Sequence, residues 1–111
     1  MGKRIKINFE MGGETLPNSV IDFTKFNERP LMLNHHAFDE LPLGRFIDIK
    51  KSHKGVFGKA IFHKITPESK LLNRLVNQKI IKNVQPGGYV ERDENGNITK
   101  FDIYEVSICG L

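Results

Sequence analysis

The sequence predicts a mainly β domain: a small, mostly antiparallel, partly closed β-barrel with a few helices, one of them (66–77) clearly marked as a cover. Three observations predict it. The chain has 111 residues, so one domain over 1–111 is the expectation. It carries 12 Ile, 6 Val and 8 Phe against 2 Ala, a balance that suits pleated surfaces better than helices. Its apolar residues alternate with polar ones or run in short stretches bounded by Gly, Pro and Asn, the pattern of short strands.

The elements follow in order. Ile5, Ile7 and Phe9 alternate with Arg4, Lys6 and Asn8, which predicts a strand over 3–10 with one buried face. Met11-Gly12-Gly13-Glu14 reads as a turn. Val20, Ile21, Phe23 and Phe26 share a helical face, so 19–27 reads as a short helix or a turn-rich segment. Leu31-Met32-Leu33 is a short strand running into Asn34-His35-His36. Segments 44–51 and 55–63 are apolar on both faces, and Ser52-His53-Lys54-Gly55 between them reads as a hairpin turn. Strands apolar on both faces belong in a closed barrel or under a helix.

Thr66 is a good N-cap, Pro67 suits the first helical position, and Glu68 suits the first turn. Leu71, Leu72, Leu75 and Val76 then form one stripe, ending near Asn77 or Gln78. A strand over 80–84 follows, then a turn at Pro86-Gly87-Gly88 and a strand over 89–92. Asn95-Gly96 marks a hairpin into a long last strand, 98–109. Simple alternation puts Phe101, Ile103, Glu105, Ser107 and Cys109 on one face of that strand. It puts Tyr104, Val106 and Ile108 on the other.

Composition narrows the function classes without choosing one. Lys and Arg total 17 against 13 Asp and Glu, a net charge of +4. This excess helps solubility and does not mark a nucleic-acid binder. A single cysteine, Cys109, makes no internal disulfide and points to a reducing compartment. No apolar run approaches the ~18 residues of a membrane span, and Met1-Gly2-Lys3-Arg4-Ile5 does not read as a secretory signal.

Few residues suggest chemistry. His35-His36 follows an apolar strand; on a strand, adjacent side chains face opposite ways, so at most one of the two faces a given site. His and Cys spacings of the zinc type are lacking, so no metal or cofactor is expected. His53 and His63 read as surface or strand residues. Gly87-Gly88 allows close backbone approach, as an anion nest or oxyanion hole requires, and equally suits a tight turn or bulge. Glu105 lies among Ile103, Val106 and Ile108; if buried it needs a partner, and otherwise it is a strand-edge carboxylate. The Lys50, Lys51, His53 and Lys54 cluster reads as a solvated loop tip. Phe46, Phe57, Phe62 and Phe101 fall in strands rich in other apolar residues, which assigns them to the core.

Four pieces occur in order: Leu31-Met32-Leu33-Asn34-His35, Leu41-Pro42-Leu43-Gly44-Arg45, Val84-Gln85-Pro86-Gly87-Gly88 and Tyr104-Glu105-Val106-Ser107. Over about 5–111 the chain thereby resembles the caudovirus prohead (head maturation) serine proteases. The resemblance implies a herpesvirus-assemblin-like barrel and a Ser/His endopeptidase that cuts scaffold and capsid protein inside the immature phage head. It implies scaffold and major capsid proteins as partners, with room for a homo-oligomer and none for a membrane. Its setting would be the prohead in the cytoplasm of a bacterial host, the source a phage or prophage.

The resemblance places His35 on the catalytic histidine and Gln85 on the serine nucleophile. Gly87 and Gly88 fall on the oxyanion turn, and Glu105 is the candidate orienting residue. A primary amide has no hydroxyl or thiol to activate, so Gln85 cannot form an acyl intermediate. The expectation is therefore an inactive homologue, or a chain whose nucleophile has been replaced, with a role in assembly. Ser69 and Ser107 are the other serines to consider, although neither precedes a glycine turn. The last residues, Ile108-Cys109-Gly110-Leu111, read as the end of a trimmed domain or of a mature cleavage product. The alternative from another class is a non-catalytic small β-barrel binding module for protein or nucleic acid.

Overall fold

Alternation in the first segment does what its pattern predicts: Ile5 and Ile7 are buried, while Arg4 and Lys6 are exposed. The computed structural model describes residues 3–109. Its elements are β1 (Lys3–Ile7), β2 (Glu10–Met11), β3 (Glu14–Thr15), a 3-10 turn (Asn18–Val20), β4 (Ile21–Asp22), α1 (Thr24–Glu28) and β5 (Leu31–Asn34). They continue with β6 (Gly44–Ser52), β7 (Gly55–Phe62), α2 (Pro67–Asn77), β8 (Asn83–Arg92) and β9 (Ile98–Ile108).

Six strands close a barrel in the order β9-β5-β6-β7-β1-β8 and back to β9. Closure is complete rather than partial, because β9 pairs along both edges. β8 runs antiparallel to it on one side; β4 and β5 run parallel to it, one after the other, on the other side. The β1–β8 seam is also parallel, and the remaining seams are antiparallel. A closed barrel leaves few edges open to stray pairing.

The core is continuous. Phe46, Met32, Val84, Ile103 and Val106 are fully buried, and Phe62 and Phe101 nearly so; Phe57 is only half-buried. Segment 19–27 is the 3-10 turn, the two-residue β4 and the start of the five-residue α1. Its Phe23 meets Phe9 edge-on at a centroid distance of 6.1 Å, and Phe9 in turn meets Phe101 edge-on at 5.9 Å. Edge-to-face geometry suits the ring quadrupoles.

Helix α2 follows its sequence signals. The Thr66 hydroxyl accepts from Ser69 N at 3.2 Å, and Pro67 occupies the first turn. Ser69 is fully buried; its hydroxyl donates to Leu43 O and accepts from Lys64 N, both at 3.0 Å. It pins the helix to the barrel.

Three expectations are corrected. Strand β1 ends at Ile7 rather than at residue 10, and no strand begins at 80. After α2, Lys79 turns left-handed (φ 60°), and Ile80 N and Ile81 N both donate to Leu75 O, so 80–82 belong to the helix end. Pro86-Gly87-Gly88 is no turn either. It lies inside one continuous strand, β8, paired to β9 throughout.

Candidate functional site

The site is built by a bulge. Gly87 lies opposite Glu105, but the next residue, Gly88, lies opposite Ile103, so Tyr104 is the extra residue on β9. An inserted residue reverses the alternation beyond it and re-aims side chains. Phe101 and Ile103 before the bulge and Val106 and Ile108 after it all join the core. Glu105 and Ser107 are thereby turned to the outer face of the barrel. The shared face expected for Phe101, Ile103, Glu105 and Ser107 is therefore split.

Both outer-face side chains are nonetheless buried, Glu105 to 1% exposure and Ser107 to 0%. What covers them is the turn after β5. His35 and His36 adopt left-handed conformations, φ 51° and 60°, which non-glycine residues visit uncommonly. The turn is held by His35 N donating to Ile108 O (3.0 Å) and His36 N donating to the Ser107 hydroxyl (3.1 Å).

That geometry brings the His36 ring to Glu105, with Nδ1 2.6 Å from Oε2. The other carboxylate oxygen, Oε1, accepts the Ser107 hydroxyl. The imidazole expected on Glu105 was that of His35, which instead is exposed and makes no side-chain hydrogen bond among the described residues. A carboxylate oxygen only accepts, so Nδ1 donates in this contact, and the ring that carries Nε2 is 42% exposed. This is how a carboxylate sets an imidazole's tautomer and orientation for proton transfer.

Gln85 pairs in register with Ser107. Opposite residues of an antiparallel pair share a face, so Gln85 and Gly87 lie on the same outer face as Glu105 and Ser107. The Gln85 carboxamide oxygen lies 3.5 Å from Asn8 Nδ2. Gly87 sits directly beneath the carboxylate, and Gly88 backs onto Phe101 and the Asp102 carbonyl. Both glycines belong to a paired strand rather than to a turn.

The other serines are committed elsewhere. Ser107 and Ser69 are wholly buried, with their hydroxyls donating to Glu105 and Leu43. Cys109 lies just past the end of β9 at Ile108, and its thiol is held above the usual range by burial first and by the Glu105 charge second. A thiol so shifted stays protonated and is a poor nucleophile near neutral pH. Among the described residues no group of three or more His, Cys, Asp or Glu is placed to hold a metal ion. No helix there is long and apolar enough to cross a membrane.

The alternation missed an aromatic row beside the site. Tyr104, pushed outward by the bulge, packs on Phe38 and Tyr89 at centroid distances of 5.5 and 5.1 Å. Phe38 and Tyr89 are 62% and 67% exposed, in contrast to the buried rings of the core. Only the bulge reveals this row, and no local sequence signal announces the bulge.

Comparison with protein-family models, curated proteins and solved structures finds no significant match to this chain.

Proposed function

We propose that the protein is a prohead-protease-like barrel that keeps an oriented histidine–carboxylate pair, has no acyl-forming nucleophile, and binds scaffold or capsid protein without cutting it. One observation carries the reading: the His36–Glu105 contact of 2.6 Å lies on the same outer face as Gln85. A buried carboxylate on Nδ1 is the orienting half of a hydrolytic triad. At the position where the resemblance expects serine, the chain presents an amide. In this reading His36 takes the role that the resemblance assigns to His35.

A fluorophosphonate probe tests it. Gln85→Ser is expected to become labelled at residue 85, with labelling lost in Gln85→Ser/His36→Ala and retained in Gln85→Ser/His35→Ala. Labelling of the unaltered protein at Ser107 or Ser69 would overturn the absence of a nucleophile. A folded Gln85→Ser that stays unlabelled would overturn the placement of position 85.

The aromatic row supports a second reading, a barrel whose outer face is a binding module with no hydrolytic ancestry. Phe38, Tyr104 and Tyr89 form an exposed stacking surface of the kind that binds apolar groups or unstacked bases. Salt-sensitive binding of single-stranded DNA, weakened by Tyr89→Ala, would favour it.

A further inference from the structure

We propose that the cleft between the C-terminal end of α2 and the start of β1 is a docking site for an acidic polypeptide segment that seats one large apolar side chain in it. This cleft uses none of the residues of the His36 site. Its floor is apolar: Ile5, Val76 and Ile81 belong to the core, and Phe57 lies beside them. Its rim is cationic. Four of the eight lining residues are Lys or Arg and none is Asp or Glu, so the cleft favours an anionic partner.

The helix end explains why these charges are available. Carbonyls at the C-terminus of a helix usually attract lysine side chains. Here the backbone itself serves two of them, Leu75 O and Val76 O. Leu75 O accepts from Ile80 N at 2.9 Å and from Ile81 N at 3.2 Å, and Val76 O accepts from Lys79 N at 3.0 Å. Arg4 is paired with Asp48 at 2.7 Å. Lys79 and Lys82 are exposed and make no ion pair or side-chain hydrogen bond among the described residues. The left-handed turn at Lys79 (φ 60°) carries the chain from Val76 back to Ile81, so both lysines flank the same apolar floor.

The cleft holds about 260 Å³, room for a large apolar side chain with the rest of its segment lying outside. Docked segments commonly concentrate their binding energy in one such anchor inside a polar rim. Carboxylates flanking the anchor would meet Lys79 and Lys82.

The test uses the full chain with labelled Ile and Val methyl groups. The probe is a synthetic peptide with a central leucine flanked on each side by two glutamates; the control replaces the glutamates with lysines. The acidic peptide is expected to shift the Ile5, Val76 and Ile81 methyls saturably, and the basic peptide to leave them unmoved. Lys79→Glu/Lys82→Glu, at two exposed positions, is expected to weaken binding about tenfold or more, with other amide signals unchanged. Equal response to both peptides, shifts confined to other residues, or no response would overturn the proposal. So would saturable shifts with dodecanoate in the absence of shifts with the acidic peptide, which would make this a lipid site.

Discussion

Gly87 leaves the space that the Glu105 carboxylate occupies. A Cβ at position 87 would lie 1.9 Å from Glu105 Oε2, the oxygen that meets His36. The atom is the tip of a flexible side chain, but this tip is buried and held on both oxygens. Gly87→Ala is therefore expected to displace the carboxylate from His36 and to destabilise the fold by about 1–3 kcal/mol. Urea unfolding gives the second quantity. The histidine ring signals give the first, and a His36 environment unchanged in the variant would contradict this seating.

Ser107 ties the site together from beneath: its hydroxyl donates to Glu105 and accepts from His36 N. Ser107→Ala leaves both groups short of a partner at a buried position. The expected loss is about 2–4 kcal/mol of stability, more than for Ser19→Ala, whose hydroxyl makes no hydrogen bond among the described residues. The two variants compared by denaturant midpoint decide it.

Acid should loosen the β8–β9 hairpin. Asp93 caps its turn, accepting from Asn97 N and Asn95 N at 2.9 Å each. The bond from Asn97 N, opposed by desolvation and helped by Asn95 N, holds the Asp93 carboxyl below its ordinary 3.8. A depressed folded-state value contributes stability that is present above 3.8 and is lost as the pH falls through the lower folded value. Between pH 5 and pH 2, Asp93→Asn should show a flatter loss of stability than the unaltered protein. Parallel curves would rule the contribution out.

Cys109 should react slowly. Burial, then the Glu105 charge, hold its thiol above 9.0, so little thiolate forms at pH 8. Iodoacetamide is expected to modify the native protein several-fold more slowly than the urea-unfolded chain. Glu105→Gln should speed the native reaction by removing the neighbouring charge. Equal native and unfolded rates would place the thiol in solvent.

Helix α2 was legible because its signals are local. A threonine cap, a proline at the first position and a 3.6-residue stripe act within one turn of each other, and the helix runs over Pro67–Asn77 as they require. The hairpins at 52–55 and 93–97 were legible for the same reason. The candidate residues were only partly so. Glu105 stood out as a carboxylate among apolar residues, and it is buried with a histidine partner.

Which histidine reaches it depends on pairing between distant strands. In isolation Pro86-Gly87-Gly88 reads as a turn; in the barrel it is held extended by β9, and the misfit is absorbed as a bulge at Tyr104. That one extra residue reverses the faces of Glu105 and Ser107, exposes the aromatic row, and aligns Ser107 with the His36 amide. Short-range patterns in the chain settled a mainly β domain with one amphipathic helix, because propensity, capping and periodicity act over a few residues. Barrel closure, the bulge and the His36–Glu105–Ser107 contacts were settled only on folding, because strand register is set by hydrogen bonds between residues far apart in sequence.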